Sequence, residues 1–320
     1  MVLSHVRRMT RDRPSSPRSS RFLGSVVAMT LLSACAAGSP SAPLPRDASA
    51  AAAAPTLARR HPAPVVLILM ENHSYYQIVG NASAPFMNGF AHRGALFTNM
   101  NAIRHPSLPN YLALTSGSTL GCTNDACPPK SFGAKNIFSQ LRKHGQPWRA
   151  WQESMPGRCV THNASPYAVR HNPPPYYRNL FPRDCPRHDR PYPNPLPKHI
   201  RGFTFITPNI CHDTHDCAVS VGDAWLSRHV PPLLRRGAIV MITFDEGEGN
   251  NHIYCAMRGP GVGHGIRRRA LFTHFSLLAG IERHFGLPRL RNARHARPVD
   301  RKSTRLNSSH QSTSRMPSSA

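Results

Sequence analysis

The chain has 320 residues, enough for one large domain or two ordinary ones with a substantial core. It carries 40 Lys and Arg against 15 Asp and Glu, with 19 His besides, a charge that suits an anionic substrate, membrane surface or nucleic acid. Because the arginines are scattered, an Arg-rich coding bias explains the excess equally well. No RNA- or DNA-binding motif is present, so the sequence does not predict a nucleic-acid partner.

The N-terminus has the pattern of a targeting segment. Arginines precede an apolar run at residues 22–32 that is too short to span a membrane. The run ends in Leu-Ser-Ala-Cys at Cys35, which resembles the lipobox of bacterial lipoproteins. We therefore expect residues 1–35 to be a signal peptide with Cys35 as the lipid attachment site, an ordinary signal peptide being the alternative. Either places the protein outside the cytoplasm, in the cell envelope (periplasm or outer membrane) or secreted.

Residues 36–62 are rich in Ala, Pro and Ser, which is typical of a linker. The continuous apolar run at residues 64–70 then predicts a strand covered on both faces, as in a parallel sheet. The run ends directly in Glu71 and Asn72. Ligands bind at the carboxyl ends of strands in open α/β sheets, so both are candidate metal ligands. A solvated turn is the alternative.

A short helix is predicted at residues 84–92 and a strand at 95–100. Ser107 follows, between two prolines, and precedes the apolar pattern of a helix that ends at Gly117. Since Pro109 suits the first turn of a helix, Ser107 is expected at or just before the helix N-terminus, where free N–H groups favour an anion. Ser107 is therefore a candidate nucleophile toward phosphate, with Asn110 reaching the developing charge. A simple N-cap serine is the alternative.

Seven cysteines besides Cys35 indicate an oxidising compartment. Three short-range pairs suggest themselves, although sequence does not determine connectivity. They are Cys122–Cys127, Cys159–Cys185 and Cys211–Cys217, which leaves Cys255 unpaired. A zinc site is the rival interpretation, but no CxxC spacing supports it.

A helix at residues 136–144 and a strand at 148–152 are predicted next. Residues 153–200 are crowded with Pro, His, Arg and Tyr and read as a long irregular insertion. A strand at 202–206, a polar loop at 211–217 and a helix at 222–234 follow. The second very apolar strand, at 238–244, ends in Asp245 and Glu246. Since acidic residues are scarce here, two apolar strands that each end in acidic residues indicate a site for a hard cation.

Residues 260–269 are predicted to be a basic, Gly-rich loop, and residues 271–285 an amphipathic helix. From 299 the chain loses all pattern. Residues 301–320 resemble translated library-adapter sequence, so we treat 299–320 as an unstructured tail outside the domain.

Seven motifs follow one another between residues 64 and 290. They are MENHSYYQIVG from Met70, HPSLPNYLALTSG from His105, ESMPGRC from Glu153, YAVRHNP from Tyr167, PNICHDTHDC from Pro208, ITFDEGEG from Ile242 and THFSLLAGIERHFGLPRL from Thr273. In this order they resemble the bacterial phosphoesterase family of acid phosphatases and phospholipases C, in the alkaline-phosphatase-like superfamily, and most of all its secreted acid phosphatases, including phosphatidylinositol 3-phosphatases. The resemblance implies an α/β sandwich with a central, mostly parallel sheet flanked by helices, in a phosphoesterase domain at residues 63–298.

The resemblance also implies the site residues. One divalent metal ion is expected beside the nucleophile; the chain lacks the Asp-His-Gly signature of two-metal members. Calcium, magnesium and manganese suit its oxygen-rich ligands, with zinc or iron as alternatives. The implied metal ligands are Glu71, Asn72, Ser107, Asp245 and Glu246, and the implied phosphate-side residues are Asn110, His105, His171 and His215.

The predicted activity is hydrolysis of phosphomonoesters, as a secreted, metal-dependent acid phosphatase that forms a phosphoserine at Ser107. His171 or His215 would protonate the leaving alcohol, which favours acidic to neutral pH. The substrate would be a phosphorylated small molecule or a phosphoinositide. A phospholipase C-type phosphodiesterase is the first alternative, and a surface-anchored, non-catalytic binding lipoprotein is the second. The oligomeric state is not predicted.

Overall fold

The computed structural model describes residues 62–301. The predicted signal peptide with Cys35, nearly all of the linker, and residues 302–320 of the predicted tail lie outside this part of the chain. The strands are β1 Val65–Met70, β2 Ala95–Phe97, β3 Met100–Asn101, β4 Trp148–Gln152, β5 Asp189–Pro191, β6 Phe203–Thr207, β7 Ile239–Phe244, β8 His252–Ile253, β9 Cys255–Arg258, β10 Ile266–Arg268 and β11 Phe272–Thr273.

The described residues also form seven α-helices, and four short 3-10 helices lie among the loops. Among the described residues, no helix combines the length and the apolar character needed to cross a membrane. The α-helices are α1 Tyr75–Ile78, α2 Pro85–His92, α3 Ser107–Ser116, α4 Ile137–Lys143, α5 Asp184–His188, α6 Val219–Arg235 and α7 His274–His284; the 3-10 helices are Val169–His171, Pro174–Tyr176, Arg178–Leu180 and Arg291–Arg294.

An eight-stranded sheet organises the fold, in the order β10-β2-β9-β7-β1-β6-β4-β5. All its neighbours pair in parallel except at β9, which is antiparallel to both β2 and β7. Every residue of β1 and β7 is buried, which explains why their sequences are apolar apart from Thr243 in β7. Helix α6 packs on β7 and α2 on β9, while α3 packs on α7. The predicted α/β class with a mostly parallel central sheet is confirmed.

Three predicted segments differ from the structure. The strand expected at 95–100 is divided into β2 and β3 by a turn, and β3 joins a separate three-stranded sheet of order β11-β3-β8. The basic loop expected at 260–269 contains β10, which forms the edge of the large sheet. The insertion at 153–200 is mostly irregular, but it supplies β5, the opposite edge strand. Short strands of mixed polarity at sheet edges lack the apolar pattern that marks the central strands.

The packed chain extends beyond residue 298, the predicted end of the domain. Val299 is fully buried, and its backbone N–H donates to the carbonyl of Ser276 at 2.9 Å. Asp300 pairs with Arg283 of α7. The boundary therefore lies at least two residues later than predicted, because these contacts are tertiary and carry no local pattern.

All three predicted cysteine pairs are disulfides in the structure. They join Cys122 to Cys127, Cys159 to Cys185 and Cys211 to Cys217, while Cys255 is free and buried in β9. Two of these bonds close loops of only a few residues, at sequence separations of 5 and 6. They therefore hold short loops in place rather than joining distant parts of the chain.

A buried carboxyl outside the site makes folding stability depend on pH. Glu282 of α7 is fully buried; its Oε1 accepts the N–H of Leu290 at 2.8 Å, while Oε2 has no hydrogen-bond partner. Burial raises its pKa to about 8. The folded state thus holds a proton that the unfolded state releases, so the free energy of unfolding falls as pH rises toward 8, by up to about 1.4 kcal/mol per pH unit.

Glu282→Gln keeps the acceptor for Leu290 and removes the ionisation. We expect the variant to match the parent near pH 4 and to become progressively more stable than the parent as pH rises to 8. Denaturant unfolding of both proteins across this range measures the difference. An equal difference in stability at pH 4 and pH 8 would show that Glu282 ionises normally in the folded state.

Candidate active site

Three neighbouring parallel strands bring acidic residues together at their carboxyl ends. Glu71 follows β1 and Asp245 follows β7, while Asp213 lies in the loop after β6. The backbone ladder continues past the strands: the N–H of Asp245 donates to the carbonyl of Met70 at 2.9 Å, and that of Glu71 to the carbonyl of Asp213 at 2.8 Å. The sheet itself therefore places the three carboxyl groups side by side.

Asn72 turns sharply to complete this group. Its φ of +59° lies in the left-handed region, where Asn is enriched among non-glycine residues. Its backbone N–H donates to Oδ1 of Asp245 at 3.1 Å. The side-chain Oδ1 of Asn72 and Oδ2 of Asp245 are both buried without a hydrogen-bond partner. These two residues contact each other, so their unpartnered buried oxygens indicate a ligand that accepts lone pairs from both.

Ser107 is the first residue of α3 and lies against Glu71. Its hydroxyl donates to Oε2 of Glu71 at 3.0 Å. One helical turn later, the hydroxyl of Tyr111 donates to Oε1 of the same carboxylate. Ser107 does not cap the helix. The capping position is Pro106, and the serine hydroxyl bonds Glu71 instead. The predicted place of Ser107 at the helix N-terminus is confirmed.

Asn110, for which the resemblance implies a contact with a phosphate oxygen, bonds the loop that precedes Ser107 in this structure. Its Oδ1 accepts the N–H groups of Ile103 and Arg104 at 3.0 and 3.2 Å. Its Nδ2 donates to the carbonyls of Arg104 and Pro106 at 2.7 and 3.2 Å. Both amide hydrogens are thus committed to the loop that leads into Ser107. Asn110 is a positioning residue in this arrangement, a role that depends on a loop conformation the sequence pattern does not reveal.

His171 lies deep in the site, between two carboxylates. Nδ1 is 3.1 Å from Oδ2 of Asp213, and Nε2 is 3.3 Å from Oε2 of Glu71. The ring stacks on Tyr111. Burial lowers the pKa of His171 to about 3, with the nearby charge of Arg170 acting in the same direction. Burial therefore favours the neutral imidazole, and the role of His171 as proton donor to the leaving group stays a prediction.

Glu246 and His105 form the outer side of the site. Nδ1 of His105 lies 2.8 Å from Oε2 of Glu246, and the histidine side chain is about half exposed, at 49%. Burial raises the pKa of Glu246 to about 8, and the neighbouring Asp245 adds to the shift. His105 therefore lies at the rim, in contact with a predicted metal ligand rather than at the centre.

His215 lies on the opposite rim and leads to two residues that sequence reasoning missed. Its Nδ1 contacts Oδ1 of Asp216 at 2.5 Å, and its Nε2 is 3.2 Å from the guanidinium of Arg170. Nε of Arg170 is in turn 3.8 Å from Oδ2 of Asp125. Oδ1 of Asp125 accepts the N–H of Leu108, directly after the candidate nucleophile, at 2.8 Å.

The donor set fits a divalent cation. Glu71, His171 and Asp213 each offer a ligand atom, and these three atoms lie within 4.8 Å of one another. Burial and repulsion from Asp245 and Asp213 raise the pKa of Glu71 well above its ordinary value, and burial does the same for Asp213. A cation would relieve this repulsion and would accept the unpartnered oxygens of Asn72 and Asp245. The predicted oxygen-rich ligands therefore converge, with Asp213 and His171 added to them.

Two further residues support the site and were not predicted as part of it. Tyr111 follows Ser107 by four residues, so helical periodicity alone would have placed both on one face. Burial lowers the pKa of His274 to about 4, and its Nε2 contacts the carbonyl of Asp245 at 2.5 Å. Asp213 follows the end of β6 by several residues. It therefore lacks the position directly after a strand that marks Glu71 and Asp245 in the sequence.

Comparisons with known proteins agree with this arrangement. Residues 81–288 match the Phosphoesterase family. The chain is 33% identical over 265 residues to a phosphatidylinositol-3-phosphatase of Mycobacterium tuberculosis, covering 80% of this chain and 86% of that protein. It is 29% identical over 230 residues to a phosphate-repressible acid phosphatase of Penicillium chrysogenum, covering 64% of this chain. It spans 55% of the length of that fungal relative.

The fold also has solved counterparts. A protein of the alkaline phosphatase superfamily from Vibrio parahaemolyticus superposes with a TM-score of 0.53 at 12% identity. The superposition covers 77% of this chain and 72% of that one. At this identity the likeness concerns the fold alone.

Proposed function

The chain belongs to the Phosphoesterase family and is a phosphoric ester hydrolase, and from this premise we propose that it is a metal-dependent acid phosphatase with Ser107 as its nucleophile. The observation that carries the proposal is the hydrogen bond from Ser107 to Glu71, at the start of α3 and among converging carboxyl groups. A serine hydroxyl bonded to a base-like oxygen at a helix N-terminus has the environment of an activated nucleophile.

Six residues of the site would hold one divalent cation. They are Glu71, Asn72, His171, Asp213, Asp245 and Glu246. Such a cation, when bound, polarises a phosphoryl oxygen and lowers the pKa of a nearby hydroxyl. The candidate metals are calcium, magnesium, manganese and zinc.

Ser107 Oγ would attack phosphorus as its proton passes to Glu71 Oε2, and the bond from phosphorus to the substrate alcohol would break. Glu71 Oε2 accepts the hydroxyl hydrogen bond in the resting site, and Tyr111 orients that carboxylate. His215 is the proton donor that we propose for the departing alcohol, because Asp216 fixes its Nδ1 as a carboxylate orients a catalytic imidazole. Water subsequently hydrolyses the phosphoserine.

We place the protein outside the cytoplasm. The three disulfides support an oxidising compartment, and the predicted signal peptide agrees with one. The substrate we propose is a phosphomonoester, either soluble or on a phosphoinositide headgroup, as the name of the mycobacterial relative suggests.

Phosphate release from a substrate panel at pH 5 to 8 tests the proposal. The panel holds p-nitrophenyl phosphate, a phosphoinositide and a phosphatidylcholine, each with and without chelator. We expect chelator-sensitive release from the two monoesters alone. Release of phosphocholine with the monoesters untouched would establish a phosphodiesterase instead. No turnover by folded, metal-loaded protein would favour the binding lipoprotein.

A further inference from the structure

A carboxylate occupies the end of α3 at which the substrate phosphoryl group would bind. Oδ1 of Asp125 accepts the backbone N–H of Leu108 at 2.8 Å, and Leu108 directly follows Ser107. N–H groups in the first turn of a helix bind anions, because they lack helical partners and lie at the positive end of the dipole. In this structure an anion from the chain itself takes this position beside the nucleophile.

The loop that carries Asp125 is held in place by covalent and local contacts. The disulfide Cys122–Cys127 closes it at a sequence separation of 5. Within it, Oδ1 of Asn124 accepts the N–H of Ala126 at 2.9 Å. The side chain of Asp125 retains 34% exposure, so a small ligand can approach it. The carboxylate is therefore both well positioned and accessible.

The partner of this carboxylate is an arginine that borders the same site. Nε of Arg170 lies 3.8 Å from Oδ2 of Asp125, and its guanidinium contacts His215 at 3.2 Å. Arg170 directly precedes His171, whose buried and unpartnered Nε2 faces Glu71. Asp125 and Arg170 also line one cleft of about 530 Å³. The guanidinium borders the site through His215, and its planar fork suits phosphate recognition.

We propose that Asp125 is a specificity-determining residue that acts as an internal competitor of phosphate. It occupies the Leu108 N–H and holds Arg170 until a phosphoryl dianion displaces it from both, and it takes them back when inorganic phosphate leaves. The proposal rests on the proposed function. Its consequence is weak retention of the product, because each phosphate that binds must replace an anion already present.

Simple helix capping is the competing explanation for Asp125. An asparagine at this position keeps the acceptor oxygen for Leu108 and removes only the charge that binds Arg170. Under the capping explanation Asp125→Asn leaves phosphate affinity unchanged. Under our proposal the neutral amide is displaced more readily, and Arg170 is released to the ligand.

The experiment measures the dissociation constant of inorganic phosphate by calorimetry, in the full metal-loaded chain, for the parent and for Asp125→Asn. We expect the variant to bind phosphate roughly three- to tenfold more tightly, the range set by one charge-assisted contact. Asp184→Asn is the matched control, because it removes the same charge outside the site, where Asp184 pairs with Arg142. Arg170→Lys, which keeps the charge but loses the fork, should weaken phosphate binding in the Asp125→Asn background.

Equal or weaker phosphate binding by Asp125→Asn would overturn the proposal. An equally large gain in Asp184→Asn would also overturn it, because net charge alone would then explain the effect. If Asp125→Asn does not fold, the phosphate affinity of the Arg170→Lys single variant tests the proposal. An unchanged affinity would show that Arg170 does not bind phosphate and would overturn the proposal. Hydrolysis of p-nitrophenyl phosphate by the parent, measured in parallel, separates this outcome from a failure of the proposed function.

Discussion

Ser107→Ala is expected to reduce kcat for p-nitrophenyl phosphate by at least about 10³-fold, the scale seen when a nucleophile is removed from a catalytic unit. The loss follows because, among the described residues, the only other hydroxyl that bonds the Glu71 carboxylate is that of Tyr111, which lies a turn deeper. The fold should persist, because Tyr111 still holds the carboxylate. One lost hydrogen bond costs on the order of 1 kcal/mol. Initial rates and thermal unfolding of the purified variant measure both effects.

Ser116→Ala provides the matched control. Ser116 is the last residue of the same helix, and its hydroxyl donates to the carbonyl of Leu112 at 2.9 Å. The same chemical change there tests whether α3 tolerates losing a hydroxyl, and its kcat should stay close to that of the parent. If Ser107→Ala keeps more than a tenth of the parental kcat, the nucleophile is another group.

The second large effect concerns the carboxyl groups that would hold the metal. Glu71→Gln is expected to lose the bound cation and, with it, at least about 10²-fold in kcat, because one formal charge and one ligand oxygen are removed from the centre of the cluster. The metal-free variant should nevertheless be at least as stable as the metal-free parent. Burial and repulsion from Asp245 and Asp213 raise the pKa of Glu71, so removing this ionisation relieves the site.

The control for that experiment is Glu282→Gln, which makes the identical substitution at another buried glutamate outside the site. It should retain both the metal and the activity. Metal content, kcat and the unfolding temperature with and without chelator are the three readouts. A Glu71→Gln protein with full metal content and parental kcat would show that the cation, if any, binds elsewhere.

The central part of the fold could be predicted because its physics is local. Strands β1 and β7 are covered on both faces, so their sequences are apolar apart from Thr243 in β7, and the acids that follow them stand out. Parallel neighbours then bring Glu71 and Asp245 to one edge of the sheet. Ser107 was found in the same way, because Pro109 and Gly117 mark the two ends of its helix.

The remaining site residues depend on contacts that no local pattern encodes. His171 and Arg170 come from an irregular segment, and their positions follow from tertiary packing against Asp213 and His215. Asp125 reaches Leu108 from a short disulfide loop. The role of His171 as proton donor stays a prediction, because its charge state depends on burial, which is a property of the folded protein.

Asn110 lies where the motif predicts, one turn into α3, and its amide bonds the backbone of Arg104 and Pro106. The sequence predicted the position of Asn110 but not these contacts, because they depend on the conformation of the preceding loop. Its contact with a phosphate oxygen stays a prediction.

The most direct measurement of the central claim is an acid-quench experiment with a radiolabelled phosphomonoester, followed by peptide mapping. If Ser107 is the nucleophile of a metal-dependent phosphatase, label is trapped on the peptide that contains Ser107, and chelator or Ser107→Ala abolishes the trapping. Turnover with label on a different residue, or chelator-resistant labelling of Ser107, would contradict the account.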